Sequence, residues 1–137
     1  MKKVLVVEDD QVMRKMLVEA FKAAGFKVAD APNGEEGLKV ALDFKPDAIL
    51  LDLMMPVMDG LTMLKRLKEQ EWSRQIPVTI LTNSDESEKI ASAFNIVTSS
   101  DEPGKMSDVL EKGVFKYIMK SSVTVEDIVK RIAKEIE

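Results

Sequence analysis

Five polar residues directly follow short apolar segments of the sequence and carry side chains suited to phosphoryl chemistry. They are three acids, a hydroxyl and an ammonium: Glu8, Asp9, Asp52, Thr82 and Lys120. A carboxylate can attack phosphorus, while a lysine and a hydroxyl can stabilise the charge on the phosphoryl oxygens. The chain contains no Cys and no His, which excludes thiolate sites, His-ligated zinc and a phosphohistidine within this chain. A phosphoryl donor must therefore be another molecule.

These side chains can meet only if the apolar segments before them are strands of one parallel sheet. The segments that predict strands are 4–7, 27–31, 48–51, 78–81 and 117–119. Helical patterns lie between them and after the last, where 125–136 shows the clearest apolar stripe. Such alternation predicts an α/β fold, a flavodoxin-like doubly wound sheet of five parallel strands in the order 2-1-3-4-5 with helices on both faces.

Local signals place the ends and faces of several helices. Asp10 is expected to cap the first helix rather than to bind a metal, and Gly25 to end that helix. Thr124 and Asp127 resemble a capping box at the start of the last helix. In the second helix, at about 35–44, Leu42 is expected to point inward together with Leu38 and Ala41.

The carboxyl ends of strands one and three should bring three acids into one cleft. In an open parallel sheet, ligands bind beyond these ends, and strands one and three are neighbours in the predicted order. Carboxylates held that close repel one another unless a cation lies among them. Because all the ligand atoms are oxygens, a hard ion such as Mg²⁺ is expected. Asp52 would be the nucleophile, with Thr82 and Lys120 at the same rim.

Four strings make the chain similar to the receiver domains of bacterial two-component response regulators. They are VLVVEDD at 4–10, ILLDLMMPVMDG at 49–60, PVTILTN at 77–83 and KYIMK at 116–120. The resemblance covers the whole chain except the segment after Thr82, and its most specific string is the one around Asp52.

The resemblance implies a role for each matching residue. Asp52 would be the phosphoacceptor, assisted by Thr82 and Lys120. The implied Mg²⁺ ligands are Glu8, Asp9, Asp52 and the backbone carbonyl of Met54. Thr82 and Tyr117 match the family's switch pair, whose rotamers change on phosphorylation.

By the same resemblance, the chain is expected to be one receiver domain over 1–137, stand-alone and similar to chemotaxis regulators. It would be a phosphorylatable switch rather than an enzyme, apart from slow self-catalysed phosphorylation and dephosphorylation. The expected donor is a sensor histidine kinase or a phosphotransfer protein, and the signal would pass to a target protein. A net charge of −4 and the lack of long basic runs argue against direct nucleic acid binding. No membrane segment is predicted, and the expected location is the cytoplasm.

Three departures from the family pattern leave another function open. Asn83 stands where a small residue is usual, Ser121 stands where Pro is common, and the segment at about 84–113 is expanded. They support an alternative, a receiver-like adaptor that works without phosphorylation. A Mg²⁺-dependent phosphatase is a third reading, but such enzymes commonly carry a second acid where this chain has Met54.

Overall fold

A computed structural model describes residues 1–53, 55, 57–82, 115–120 and 123–136. The strands and helices in these ranges are β1 Lys3–Val7, α1 Gln11–Ala23, β2 Lys27–Ala31, α2 Gly34–Phe44, β3 Ala48–Asp52, α3 Gly60–Glu69, α4 Glu71–Arg74, β4 Val78–Thr82, β5 Phe115–Met119 and α5 Val125–Glu135. The expanded segment predicted at 84–113 lies outside the described residues. Within the described part of the chain, no helix has both the length and the apolar character needed to cross a bilayer.

The five strands form one parallel sheet in the order β2-β1-β3-β4-β5, which confirms the predicted topology. Val7 pairs with Leu51 across β1 and β3, and Asp52 pairs with Leu81 across β3 and β4. The carboxyl ends of these strands are therefore level with one another. The residues that follow β1 and β3, and Thr82 at the end of β4, therefore lie at the same edge of the sheet.

Successive strand side chains pack into two apolar cores, one on each face of the sheet. Leu5 and Ile49 belong to the core covered by α2 and α3, whereas Val4 and Leu50 belong to the core covered by α1 and α5. All four side chains are fully buried. Because burial of such a side chain stabilises the fold by about 2 kcal/mol, the two cores hold the central strands firmly and fix where they end.

The helix ends that bear on the site follow the predicted local rules. The side chain of Asp10 accepts hydrogen bonds from the backbone N–H groups of Val12 at 2.9 Å and Met13 at 3.3 Å, which confirms it as the cap of α1. Gly25 follows the helix with a φ of 95°, a conformation that favours glycine. The capping box of α5 is also confirmed.

Two features of the helices differ from the sequence prediction. Leu42 does not point inward, since 51% of its surface is exposed. The buried stripe of α2 runs through Gly34, Gly37 and Ala41, and Leu42 lies about 100° further round the helix than Ala41.

Helix α4 was not predicted, because four residues are too few to show a helical period. It is held by Ser73, whose hydroxyl donates to the carbonyl of Leu67 at 2.6 Å.

Gly60 is expected to tolerate substitution far less well than Gly37. A Cβ at Gly60 would collide with the carbonyl oxygen of Asp52 and lie 2.8 Å from the Cα of Leu53, and both atoms are backbone. Gly60→Ala should therefore lower the free energy of unfolding by about 2 kcal/mol or more. A Cβ at Gly37 would meet the flexible end of Met63 at 2.9 Å.

Gly37→Ala also gains about 1 kcal/mol of helix propensity, which offsets that crowding. Equilibrium urea unfolding of both variants measures the difference. Equal losses for the two substitutions would contradict this account of how α3 packs against the end of β3.

Candidate functional site

Three carboxylates meet at the carboxyl edge of the sheet. Glu8 and Asp9 directly follow β1, and Asp52 is the last residue of the neighbouring strand β3. Each residue offers a carboxylate oxygen, and these oxygens all lie within 4.8 Å of one another. Glu8 and Asp52 are buried, with 1% and 3% of their surface exposed, whereas Asp9 is open to solvent. The predicted convergence of the three acids is confirmed.

Lys120 reaches the same cluster from the end of strand β5. It directly follows β5, which is separated from β3 by β4. Its Nζ lies 3.3 Å from Oε2 of Glu8 and 3.3 Å from Oδ2 of Asp52. One ammonium therefore faces two buried carboxylates. With three acids and one lysine, the cluster formed by the described residues has more acidic than basic groups.

The backbone around the acids is held by hydrogen bonds to neighbouring strands. The N–H of Glu8 donates to the carbonyl of Ala31 at 3.1 Å, and the N–H of Asp10 donates to Oε1 of Glu8 at 3.2 Å. On the β3 side, the N–H of Gly60 donates to the carbonyl of Leu53 at 3.0 Å. These bonds fix the start of the loops on which the acids lie.

The loop after β3 is also tied to the start of α2. The N–H of Gly34 donates to the carbonyl of Met58 at 3.0 Å. A Cβ at Gly34 would lie 2.8 Å from that same oxygen, so glycine permits the close approach. Helix α2 thereby supports the loop that follows Asp52.

Burial and mutual repulsion change the proton affinities of the cluster. Burial, and then the nearby charge of Asp52, raise the pKa of Glu8 from 4.5 to about 7, although Lys120 acts in the opposite direction. Burial works to lower the pKa of Lys120, but the carboxylates of Asp52 and Glu8 outweigh it and raise that pKa. In the absence of a further cation, the site therefore favours keeping a proton on Glu8.

The donor set fits a hard divalent cation. The cluster presents oxygen ligands from carboxylates, which suit Mg²⁺. Oε2 of Glu8 is buried, and no hydrogen bond from the described residues reaches it, although the ammonium of Lys120 is near. A cation would satisfy this oxygen and offset the burial and the nearby charge of Asp52, which together raise the pKa of Glu8.

The other predicted site residues are placed only in part. Thr82 ends β4 and is paired with Met119 of β5, while Tyr117 is paired with Ile80. Their backbones thus lie on adjacent strands, and their roles stay predictions. Met54, Asn83 and Ser121 lie outside the described residues.

Sequence reasoning missed Arg14 of α1. Its Nη1 donates to the backbone carbonyl of Glu8 at 2.8 Å, and its Nε donates to Oδ2 of Asp30 at 3.0 Å. No periodicity or motif marks a side chain that turns back from a helix to a loop carbonyl. The available signal was a basic residue four positions after the helix cap, together with an acid on the next predicted strand.

Comparison with known proteins identifies the family of this arrangement. A family model described as the response regulator receiver domain matches residues 4–96. The match contains Glu8, Asp9, Asp52 and Thr82, and it ends before Lys120.

Curated relatives are longer proteins. The alkaline phosphatase synthesis transcriptional regulatory protein PhoP of Bacillus subtilis is 40% identical over 85 residues, which cover 62% of this chain and 35% of that protein. The protein-glutamate methylesterase/protein-glutamine glutaminase of Archaeoglobus fulgidus is 35% identical over 129 residues, which cover 90% of this chain and 37% of that protein. The chain thus spans about a third of the length of the curated relatives it matches.

Solved structures of this fold align with nearly the whole length of the chain. The chemotaxis protein CheY4 of Vibrio cholerae aligns with a TM-score of 0.76 at 26% identity, covering 98% of each chain. A CheY-like response regulator receiver domain protein from Methanospirillum hungatei aligns with a TM-score of 0.77 at 20% identity, covering 99% of this chain and 94% of that one. At that lower identity the likeness shows the fold alone.

The raised pKa of Glu8 makes the stability of the cation-free protein depend on pH. Between pH 4.5 and about 7, the folded protein holds a proton on Glu8 that the unfolded chain has lost. Because the folded state binds more protons, the free energy of unfolding should fall as the pH rises through this window. Glu8→Gln keeps the side-chain shape without the ionisation, so it should remove a fall on the order of 2 to 3 kcal/mol.

Urea unfolding in the presence of EDTA, from about pH 5 to about pH 8, measures this dependence. Glu19→Gln, on the exposed side of α1, is the matched control and should follow the wild-type curve. A Glu8→Gln curve that coincides with the wild-type curve would contradict this electrostatic account of the cluster.

Proposed function

This chain belongs to the response regulator receiver family, and on that premise we propose that it is a signalling switch of a two-component system, which accepts a phosphoryl group on Asp52 with the help of Mg²⁺. The observation that supports the proposal most is the meeting of three acids within 4.8 Å, with the Lys120 ammonium 3.3 Å from two of them. A structural cluster of acids would have no need to bury two carboxylates beside each other.

In the proposed reaction, a carboxylate oxygen of Asp52 attacks the phosphorus of the donor. An oxygen–phosphorus bond forms on Asp52, and the bond from phosphorus to the donor breaks, with its electron pair leaving on the donor. Asp52 suits this role because it ends a fully buried strand and its backbone cannot shift easily. Lys120 would stabilise the negative charge of the phosphoryl oxygens, since its ammonium already faces Asp52.

We propose that Glu8, Asp9, Asp52 and the backbone carbonyl of Met54 hold the ion. When bound, Mg²⁺ neutralises charge on the phosphoryl oxygens and on the carboxylates around them. Glu8 is fixed for this task by the hydrogen bonds to Ala31 and from Asp10. Asp9, which is exposed, leaves the cluster open to solvent and to a donor.

Phosphorylation would act as a switch by changing the partners of Lys120. A new dianionic group on Asp52 competes with Glu8 for the ammonium, and Lys120 adjoins β5. We propose Thr82 and Tyr117, on the adjacent strands β4 and β5, as the pair whose side chains respond. The group thereby favours one of two conformations of the partner-binding face.

We also propose the partners and the cellular location of the switch. Because the chain has no His, the phosphoryl group would come from a sensor histidine kinase or a phosphotransfer protein. The signal would pass to a target protein in the cytoplasm, without direct contact to nucleic acid or membrane. We propose one receiver domain over 1–137, with the expanded segment at about 84–113 as part of its recognition face and no enzyme activity beyond slow self-catalysed steps.

An unphosphorylated adaptor is the second candidate. It is favoured by Asn83 and Ser121, which depart from the family pattern directly after Thr82 and Lys120 in the sequence. Asn83 would hinder the phosphoryl group, and Ser121 would leave Lys120 less firmly placed. The two candidates differ in one measurable property, covalent labelling of Asp52.

Incubation with Mg²⁺ and a small acyl phosphate should add one phosphoryl group to the wild-type protein, as measured by intact-protein mass spectrometry. Asp52→Asn should stay unlabelled, because the neutral amide lacks the nucleophilic carboxylate oxygen. Lys120→Met should be labelled at least tenfold more slowly, since it removes the cation that faces Asp52.

Asp59→Asn is the matched control, because Asp59 is an acid of the loop that follows Asp52. The N–H of Thr62 donates to its carboxylate at 2.9 Å, and the oxygen of an amide can accept the same bond. This variant should be labelled like the wild type. Absence of label on the wild-type protein would reject the switch and favour the adaptor.

A further inference from the structure

Arg14 connects the acidic cluster to a strand that contributes no residue to it. Its guanidinium bridges the backbone carbonyl of Glu8, 2.8 Å from Nη1, and the carboxylate of Asp30 in β2, 3.0 Å from Nε. The Arg14 side chain is only 18% exposed, so this contact is partly shielded from water. The planar guanidinium holds its two donors at a fixed separation, which ties the positions of the two acceptors together.

The carbonyl that Arg14 holds belongs to the peptide unit that leads into Asp9. β1 ends at Val7, so the strand ladder no longer determines how this peptide is oriented. The N–H of Glu8 is anchored to Ala31, and Arg14 anchors its carbonyl. With both the N–H and the carbonyl of Glu8 held, the peptide plane between Glu8 and Asp9 is held as well. This plane limits the directions in which the side chain of Asp9 can point.

We propose that Arg14, anchored by Asp30, is a positioning residue for cation binding, which aligns the carboxylates of Glu8 and Asp9 through the carbonyl of Glu8. This inference rests on the proposed function, because it concerns the cation that the cluster holds. Arg14 would not touch the ion. It would act as an outer partner of the residues that do, and such partners commonly change metal affinity by about tenfold or more.

The sign of the effect separates positioning from simple electrostatics. Arg14 is itself a cation, so by charge alone its removal should strengthen the binding of a second cation. A positioning role predicts the opposite, since the carboxylates lose their alignment. A purely structural role predicts lower stability with no change in cation affinity.

The chain offers a matched set of substitutions. Arg14→Met keeps most of the apolar stem, and Arg14→Lys keeps the charge while losing the two-pronged donor. Asp30→Asn keeps an acceptor oxygen for Nε and should have a smaller effect. Arg74→Met is the control, because Arg74 also donates to a backbone carbonyl, that of Lys68 at 3.2 Å, but in α4, which contributes no residue to the cluster.

The experiment measures the dissociation constant of Mn²⁺, a spectroscopic substitute for Mg²⁺, by electron paramagnetic resonance. All variants are compared at a temperature where circular dichroism shows each to be folded. Arg14→Met and Arg14→Lys should bind Mn²⁺ about tenfold more weakly than the wild type, and Arg74→Met should bind like the wild type.

A second measurement needs no metal. The Asp10 N–H, bonded to Glu8, should exchange with solvent faster in Arg14→Met than in Arg74→Met. Wild-type-like or tighter Mn²⁺ binding by both Arg14 variants overturns this inference and leaves the proposed function intact. A wild-type protein that does not bind Mn²⁺ overturns both.

Discussion

The repulsion among three carboxylates at one edge of the sheet is the constraint on which the site depends. Glu8 and Asp52 are buried beside each other, where water cannot screen their charges. One ammonium, that of Lys120, faces both of them, yet burial and then the charge of Asp52 raise the pKa of Glu8. The site therefore favours a proton on Glu8 or a further cation among the carboxylates.

The fold tolerates this repulsion because the acids are attached to strands that cannot move apart easily. β1 and β3 lie at the centre of the sheet, with apolar cores on both faces. Gly60 and Gly34 then let α3 and α2 approach the loop after Asp52 closely. The same rigidity would suit the proposed switch, because a new charge on Asp52 would change the ion pairs of Lys120 more readily than it would change the sheet.

Much of this arrangement could be predicted from the sequence, because its signals are local or periodic. Short apolar segments ending in acids indicated the strands, and their alternation with helices indicated the parallel order that brings Glu8, Asp9 and Asp52 together. Asp10 as a helix cap was predictable from residue type alone. What these signals share is that each depends on a few neighbouring residues.

The sequence could not predict contacts that depend on where a long side chain turns in three dimensions. Arg14 is an ordinary helix residue in the sequence, and only the packing of α1 beside β2 brings it to the carbonyl of Glu8. Leu42 was placed wrongly because two adjacent apolar residues cannot both lie on the narrow buried stripe of α2. The switch roles of Thr82 and Tyr117 stay predictions.

The central claim is that these acids form one cation site, and anomalous diffraction from crystals soaked in Mn²⁺ tests it most directly. An anomalous peak is expected in contact with the carboxylates of Glu8, Asp9 and Asp52, with Lys120 still beside the cluster. A fully occupied Mn²⁺ elsewhere on the molecule, with no peak among Glu8, Asp9 and Asp52, would contradict it.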